Sequence, residues 1–314
     1  MLYNLKDNVT IYYNRCLSEI ILFTLQAKIL QLMLLVTTIK ELQEKINDVK
    51  KDGTIGFVPT MGALHQGHIS LVKKAVAENK TVVVSIFVNP TQFNDPKDLE
   101  RYPRTLDNDL KLLEPGGCDI VFAPNAKEVY PKPDTRKFNF GLLETVMEGK
   151  HRPGHFNGVA QVVSKLFDMV PADKAYFGLK DFQQLAIIKN MVKQFNLPIE
   201  IVPCHIIREE NGLAMSSRNE LLSTEQRQNA AVIFETLSKA KELIREKSVN
   251  ELTNWVIETI NKNPYLIVEY FEIVDDVQLQ TIKKWEEKNT KVGCVAAFCG
   301  KVRLIDNIVF NEND

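Results

Sequence analysis

Two of the five histidines in this chain, His65 and His68, lie three residues apart in the stretch "PTMGALHQGH", residues 59–68. The stretch follows a short apolar run and precedes a helical pattern, so it should connect a strand to a helix. Gly67 would let a ligand approach the backbone closely. Near a helix start, unpaired N–H groups and the dipole favour anions, and two imidazoles can donate to phosphate oxygens. Such a turn could be purely structural, but its position favours phosphate binding.

The same stretch matches neither of the common glycine-rich phosphate loops. The sequence there reads neither G-x-x-x-x-G-K-[ST] nor G-x-G-x-x-G. It is therefore not a Walker loop, and a nicotinamide dehydrogenase is disfavoured.

A second polar stretch, "GLKDFQQL" (178–185), also lies where a predicted strand gives way to a helix. Lys180 could neutralise phosphate charge, and Asp181 could cap the helix or assist a metal ion. Gln184 lies one turn further along and could offer its amide to a hydroxyl or a carboxylate. A helix cap beside a solvated lysine is the common structural alternative.

A third stretch, "AMSSRN" (214–219), combines two hydroxyl side chains with a guanidinium. Ser216, Ser217 and Arg218 suit a mobile phosphate clamp. By themselves these residues are also ordinary loop chemistry.

Two further stretches add amides and charged groups. "NPTQFN" contributes Asn89 and Gln92, and "EGKHRPGHFNGV" contributes Glu148, Arg152 and His155 in a loop bounded by glycine and proline. Each stretch is plausible as a surface loop, but together they add polar groups to the same predicted edge.

The elements that must position these residues alternate between helical and strand-like patterns from residue 38 onward. The predicted helices are 38–50, 68–79, 105–114, 158–169 and 181–195, and the predicted strands are 54–60, 81–88, 118–124, 174–178 and 199–207. This alternation predicts a parallel sheet covered on both faces. Ligands of such sheets bind beyond the carboxyl ends of the strands. The histidine, Asn89 and Lys180 stretches each follow a strand, so they should share one edge.

The chain should therefore contain an α/β fold with two parts. We expect a Rossmann-like, doubly wound nucleotide-binding domain over residues 33–206. Residues 207–314 should form a smaller α+β domain, with helices over 224–262 followed by strands, and this domain could act as a lid.

Composition indicates a soluble globular protein of 314 residues with 45% hydrophobic and 25% charged residues. The net charge of −1 gives no basic excess, which argues against a general nucleic-acid binder. Five scattered cysteines give little support to a zinc site and favour reduced thiols in a cytoplasmic protein.

The first 32 residues differ from the rest. Residues 20–36 are strongly apolar, but Gln26, Lys28 and Gln31 interrupt them, so the run falls short of a membrane span. Residues 1–32 are therefore interpreted as an extension outside the functional fold. A membrane-surface helix is the alternative.

Taken together, the motifs resemble the pantothenate synthetase (pantoate–β-alanine ligase) family of the H-x-G-H nucleotidyltransferase superfamily. The stretches that carry the resemblance are "FVPTMGALHQGHISLV", "SIFVNPTQFN", "DLERYPRTLDNDL", "HRPGHFNGVAQVVSKLF", "AYFGLKDFQQLAIIKNMV", "REENGLAMSSRN" and "RLIDNI". They run in the family's order from about residue 33 to the end. H-x-G-H alone would indicate only the superfamily, whereas the set of seven indicates the family.

The resemblance implies a two-step reaction. The carboxylate of (R)-pantoate attacks the α-phosphorus of ATP, which gives pantoyl adenylate and pyrophosphate, and the amine of β-alanine then displaces AMP. Mg²⁺ would accompany the ATP phosphates, with Asp181 as a candidate ligand. No protein nucleophile is needed, in keeping with the absence of a convincing Ser-His-Asp or Cys-His set. The family also implies a homodimer, and we expect neither a nucleic-acid nor a membrane partner.

The family's site positions carry over as follows. The ATP-binding positions are Met61, Gly62, Ala63, Leu64, His65, Gln66, Gly67, His68, Gly178, Leu179, Lys180, Asp181, Ile207 through its backbone, Met215, Ser216, Ser217 and Arg218. The catalytic candidates are His68, the usual proton donor, with His65, Lys180, Ser216 and Arg218. Gln92 and Gln184 should hold pantoate, Gln92 and Asn89 should lie near β-alanine, and Glu148 and Arg152 should support the site.

Two departures from the family pattern bear on these assignments. The family often has Glu where this chain has Leu179, so only a backbone contact would survive there. The "MSSR" stretch corresponds to the superfamily's KMSKS-like clamp but lacks its first lysine, so Arg218 and Lys180 would carry the positive charge.

Two alternatives remain at the level of sequence. A related H-x-G-H enzyme could transfer the nucleotidyl group to a phosphorylated acceptor, although the amides at Asn89, Gln92 and Gln184 better suit hydroxyls and one carboxylate. A non-catalytic nucleotide-binding or membrane-associated module, anchored by residues 1–32, would bind ATP without splitting it.

Overall fold

The computed structural model describes residues 33–93, 96–287 and 290–310. The predicted extension over residues 1–32 therefore lies outside the described residues. The chain from Leu35 onward forms one compact unit, and the division at residue 207 stays a prediction. Within the described ranges, no helix combines the length and apolar character that a bilayer crossing requires.

A six-stranded sheet forms the centre of the first part of the chain. Its strands are β1 (Leu34–Val36), β2 (Ile55–Thr60), β3 (Thr81–Ile86), β4 (Ile120–Phe122), β5 (Lys174–Gly178) and β6 (Glu200–Cys204). Their order is β1-β4-β3-β2-β5-β6, and the pairs β2–β3, β2–β5, β3–β4 and β5–β6 are all parallel. This confirms the expected Rossmann-like sheet.

Helices connect these strands. They are α1 (Ile39–Val49), α2 (Gln66–Glu78), α3 (Pro96–Arg101), α4 (Leu106–Leu113), α5 (Ala126–Val129), α6 (Met147–His151), α7 (His155–Met169) and α8 (Phe182–Gln194). The β-branched run Val82, Val83 and Val84 is fully buried, as expected for a strand covered on both faces.

The strand order fixes where a ligand should bind. From β2 the sheet winds outward through β3 and β4, whereas β5 and β6 lie on the other side of β2. The winding direction therefore reverses between β2 and β5. Doubly wound sheets bind ligands beyond the strand ends at this switch point, where the segment after β2 carries both histidines and the segment after β5 carries Lys180.

The last third of the chain forms helices followed by an antiparallel sheet. The helices are α9 (Thr224–Ala230), α10 (Val232–Glu242) and α11 (Val249–Asn261), and the strands are β7 (Leu266–Asp275), β8 (Lys291–Cys299) and β9 (Val302–Phe310), in the order β7-β8-β9. Leu237 and Val256 from the helices share a buried cluster with Ile273 and Val295 from the strands. The predicted helices and strands of this region are confirmed.

Several boundaries differ from the sequence prediction. Helix α2 begins at Gln66 rather than at residue 68, because His65 caps it. The loop predicted around Glu148 and His155 is largely helical: Glu148 lies in α6, and His155 opens α7, three residues before the predicted start. Helix α1 begins with a capping box between Thr38 and Glu41.

Candidate functional site

The two histidines pack against each other in the turn and first helical residues that follow β2. Their ring centroids are 4.1 Å apart. His65 is the N-cap of α2, where its Nδ1 accepts from the Gly67 amide at 3.1 Å. His68 is the third residue of the helix, and its Nδ1 accepts from the His65 amide at 3.3 Å. The two side chains therefore form a reciprocal capping box.

These hydrogen bonds assign the tautomer of both imidazoles. Because each Nδ1 accepts a backbone N–H, the ring proton must sit on Nε2, which makes each Nε2–H a donor. Burial, followed by the positive charge of Lys180, lowers the pKa of His65 to about 4. Burial, followed by repulsion from a protonated His65 and from Lys180, lowers the pKa of His68 well below its ordinary value. At neutral pH the pair therefore offers two neutral donors and no positive charge.

The structure corrects two expectations about this turn. The amides of Gly67 and His68 are not available to a ligand, because the first donates to His65 Nδ1 and the second to the His65 carbonyl at 2.8 Å. Gly67 is needed for a reason internal to the motif. A Cβ there would lie 2.8 Å from the His65 ring, so any larger residue would displace that imidazole.

The segment after β5 brings Lys180 to the same place. A 3₁₀ turn, Leu179–Asp181, opens α8, and Lys180 Nζ donates to the Met215 carbonyl at 3.0 Å. Asn307 of β9 donates to the Leu179 and Lys180 carbonyls at 2.9 and 3.0 Å. The turn that carries Lys180 is thus held by the antiparallel sheet.

The "MSSR" stretch contacts the histidine segment directly. Ser217 Oγ donates to the Ala63 carbonyl at 2.9 Å, and the Met215 amide donates to the Ile207 carbonyl at 3.0 Å. Ser216 caps the following 3₁₀ turn through the Arg218 amide. The expected proximity of this stretch to the histidines and Lys180 is therefore observed.

Arg218 has a protein partner in this structure. Its guanidinium donates to the Asp98 carboxylate at 2.8 Å and lies 5.6 Å from the centre of the Tyr102 ring. Asp98 lies in α3, which follows the Asn89 segment. An anion that binds to Arg218 must therefore compete with Asp98.

Two adjoining cavities contain most of the predicted site. A cavity of about 200 Å³ is lined by Met61, His65, Gly67, His68, Asn89, Gln92, Gly178, Lys180, Asp181, Gln184, Ile207 and Met215, among others. A larger cavity of about 520 Å³ is lined by Asp98, Glu148, Arg152, Lys180, Asp181, Gln184, Ser216 and Arg218, among others. Lys180, Asp181 and Gln184 line both. The remaining predicted positions, Gly62, Ala63, Leu64, Gln66, Leu179 and Ser217, line neither.

Gln92 and Asn89 both line the smaller cavity, and the two side chains are hydrogen-bonded to each other. Asn89 is 1% exposed. Its amide nitrogen donates to Gln92 Oε1 at 3.2 Å and its oxygen accepts from the Tyr130 hydroxyl at 2.9 Å. Gln92 Nε2 donates to Met61 Sδ at 2.9 Å. The geometry gives Asn89 a role in orienting Gln92.

Glu148 and Arg152 lie at the larger cavity, away from the histidines. Glu148 accepts from Tyr270 and Arg303 as well as from Arg152. Burial lowers the pKa of Arg152, the Glu148 carboxylate raises it, and the positive charge of Arg303 lowers it. The net result is a pKa below the ordinary value. The carboxylate is therefore shared by charged groups from two parts of the chain.

Sequence reasoning missed four residues that organise the site: Asp109, Tyr270, Arg303 and Asn307. Each contacts a site segment 45 or more positions away in the chain. The only sequence signal for three of them was membership in stretches quoted for the family resemblance, "YPRTLDNDL" and "RLIDNI".

Comparison with known proteins shows a family match over most of the chain. The pantoate-beta-alanine ligase family matches residues 34–309. Pantothenate synthetase of Bacteroides thetaiotaomicron is 56% identical over 281 residues, which cover 89% of this chain and 100% of the relative. Pantothenate synthetase of Phocaeicola vulgatus is 58% identical over 280 residues, covering 88% of this chain and 99% of the relative.

Solved structures give the same result. Pantothenate synthetase of Thermus thermophilus superposes with a TM-score of 0.83 at 42% identity, covering 88% of this chain and 99% of that one. The ligase of Francisella tularensis, solved with β,γ-ATP and β-alanine, superposes with a TM-score of 0.73 at 38% identity, covering 88% and 97%. By the extent of the family match and the identity to its members, the chain belongs to the pantoate-beta-alanine ligase family.

Proposed function

We propose that this protein is an ATP-dependent ligase that joins (R)-pantoate to β-alanine through a pantoyl-adenylate intermediate. The products are pantothenate, AMP and pyrophosphate, so the reaction belongs to pantothenate and coenzyme A biosynthesis. The observation that carries the proposal is the pair of Nε2–H donors of His65 and His68, which lies beside Lys180 and Gln184 at the switch point of the sheet. Membership in the family supports the same reaction.

The histidine pair suits the first step. When the pantoate carboxylate attacks the α-phosphorus, negative charge grows on the phosphate oxygens. Donors that are already oriented stabilise such charge without reorganisation. The backbone amides fix both imidazoles in the tautomer that donates from Nε2. His68 can also direct that N–H as a hydrogen-bond donor to an oxygen of the departing group, at the position that the family resemblance gives to the proton donor.

Lys180 and Arg218 would supply the positive charge that the neutral histidines lack. In this structure Lys180 bonds to the Met215 carbonyl and Arg218 to Asp98. Both partners lie at the cavity edge, so phosphate oxygens can replace them through side-chain rotation. Ser216 lies beside Arg218 and can add a hydroxyl donor to the same phosphates.

The amide side chains suit the organic substrates. Gln92 and Gln184 both line the smaller cavity beside the histidines, where their amides can bind the hydroxyls and carboxylate of pantoate. These amides are better matched to hydroxyl groups and one carboxylate than to a phosphorylated acceptor. We assign β-alanine to a position beside Gln92, where Asn89 holds the Gln92 side chain. Glu148 and Arg152 are supporting groups at the larger cavity.

A magnesium ion fits this site only together with ATP. The described residues contain no group of three His, Cys, Asp or Glu side chains that could hold a metal ion. Mg²⁺ is commonly bound through one or two carboxylates plus substrate phosphates, and Asp181 lines both cavities. We therefore propose Asp181 as a protein ligand of Mg–ATP. Bound there, the ion would neutralise charge on the phosphates.

Three wider expectations remain proposals. The homodimer rests on the family resemblance, and sedimentation equilibrium would test it. The lid role of residues 207–314 rests on the contacts of Met215 and Ser217 with the nucleotide-binding segments; equal solution scattering with and without ATP would count against it. The cytoplasmic location rests on composition alone.

The decisive experiment is pantoate-dependent exchange of labelled pyrophosphate into ATP, with Mg²⁺ and without β-alanine. Exchange would show that an acyl adenylate forms before the amine arrives. ATP binding without exchange would contradict the proposal. Exchange that requires a phosphorylated acceptor instead of pantoate would favour the related nucleotidyltransferase reaction.

A further inference from the structure

A buried carboxylate underlies the turn that precedes the histidines. Asp109 lies in α4, is 1% exposed, and points at the segment between β2 and α2. Its Oδ2 accepts from the Ala63 amide at 3.0 Å, and its Oδ1 accepts from the Leu64 amide at 2.8 Å. The Thr105 hydroxyl donates to Oδ1 at 3.1 Å. All of these are contacts within the protein, and Asp109 lines neither cavity.

The turn has the backbone shape that collects an anion. Gly62 and Ala63 both adopt positive φ, at 78° and 50°, which is uncommon for a residue other than glycine. Successive amides in such turns converge on one side and form a concave site for negative charge. Here that site is filled by the side chain of Asp109. A Cβ at residue 62 would lie 3.1 Å from Asp109 Oδ2, so the fit is close.

We propose that Asp109 is a positioning residue for the adenylation reaction and acts through His65, His68 and Ser217. This proposal rests on the function proposed above. By holding the Ala63 and Leu64 amides, the carboxylate fixes the backbone immediately before His65, the N-cap on which both ring orientations depend. The carbonyl of the same Ala63 receives the Ser217 hydroxyl at 2.9 Å. One internal anion thus sets the position of two segments at the site.

The same contacts limit how this turn can bind nucleotide. An amide that already donates to a buried carboxylate cannot also donate linearly to a phosphate oxygen. The Ala63 and Leu64 amides are therefore structural and do not serve as phosphate donors, whereas the Nε2–H groups of His65 and His68 can.

The variant Asp109→Asn tests the proposal with little change of shape. An asparagine keeps one acceptor oxygen but presents an NH₂ group to the second amide, so one N–H loses its partner. We expect the rate of pantoate-dependent pyrophosphate exchange at saturating substrates to fall ~10- to 10²-fold, as misplacement of reacting groups predicts. The KM for pantoate should change by less than about threefold. Gln92 and Gln184, which bind pantoate, lie on other elements, so their contacts with the substrate should be unchanged.

The matched control is Asp107→Asn, which removes an exposed carboxylate from the same helix. It should exchange pyrophosphate at the wild-type rate. Circular dichroism at the assay temperature measures the folded fraction of Asp109→Asn. If Asp109 has a merely structural role, the rate of pyrophosphate exchange per folded molecule should be normal. An Asp109→Asn rate within about twofold of the control, too small for a lost transition-state interaction, would overturn the proposal.

A measurement on the wild-type protein separates this proposal from the function on which it rests and does not require the variant to fold. The Ala63 and Leu64 amides should show hydrogen-exchange protection of at least ~10² without any ligand, because opening them breaks the bonds to Asp109. Unprotected amides would overturn the positioning role. If the amides are protected but the protein shows no pyrophosphate exchange, Asp109 still holds the turn before His65, and only the proposed ligase function is rejected.

Discussion

Arg303 donates to both carboxylate oxygens of Glu148, at 2.9 and 2.7 Å, across 155 positions of sequence. Tyr270 adds a third donor at 2.8 Å. Burial alone would raise the pKa of Glu148, but Arg303 and Tyr270 outweigh it, and the pKa lies below its usual value. Because Glu148 lies in α6 and its partners lie in β7 and β9, this carboxylate ties the antiparallel sheet to the cavity wall.

Breaking this ion pair should destabilise the protein. In Glu148→Gln, the Arg303 guanidinium would lose this partner and keep Glu269, and removing one member of a buried pair typically costs roughly 3 kcal/mol. Urea denaturation should show that loss in the free energy of unfolding. The control Glu220→Gln breaks an exposed pair with Arg227 and should cost less than about 1 kcal/mol. Equal stability of the two variants would contradict the assignment.

The tautomer assignment predicts an order of activities at His68. The amide nitrogen of glutamine can take the place of Nε2, whereas that of asparagine reaches only the position of Nδ1. We expect His68→Ala and His68→Asn to lose at least ~10² in adenylation rate and His68→Gln to lose about tenfold less than either. Pyrophosphate exchange at saturating substrates would measure this. Equal rates for the glutamine and asparagine variants would show that Nε2 is not the donor.

His155 should make stability depend on pH. Burial, and then the nearby charge of Arg152, lower its pKa to about 4, and its Nδ1 lies 2.8 Å from the Gln92 carbonyl. The unfolded chain, with an ordinary pKa near 6.5, binds the proton more readily. Stability is therefore full above about pH 6.5 and falls as the pH drops toward about 4, by up to roughly 3 kcal/mol from this group.

Chemical denaturation between about pH 7 and pH 5 would measure that slope. In His155→Asn the side-chain amide can still donate to the Gln92 carbonyl but does not titrate, so the slope should decrease. An unchanged slope in His155→Asn would place the titrating group elsewhere.

The Asp98–Arg218 pair predicts a gain in nucleotide affinity. Both side chains are partly exposed, so the pair contributes about 0.5 to 1 kcal/mol, which ATP must overcome to recruit Arg218. Asp98→Asn should lower the KM for ATP about two- to fivefold while Asp107→Asn leaves it unchanged. A higher KM for ATP in Asp98→Asn would instead show that Asp98 assists binding of the nucleotide or its metal ion.

The sequence predicted those parts of the site that depend on local patterns. The order of strands and helices placed the segments after β2, β3 and β5 on one edge, because parallel strands all end on the same side of a sheet. His65 and His68 are close for an equally local reason, since residues three apart at a helix start face each other. The family resemblance supplied the identity of the residues around them.

Tertiary structure decided what those local motifs contact. Asp109, Arg303 and Asn307 reach their partners only after the chain has packed, so no periodicity in the sequence could reveal them. It also decided that the Ala63 and Leu64 amides donate to Asp109 rather than to an anion. A side chain's type states which hydrogen bonds it can make, but only the packed neighbours determine which of those bonds are already taken.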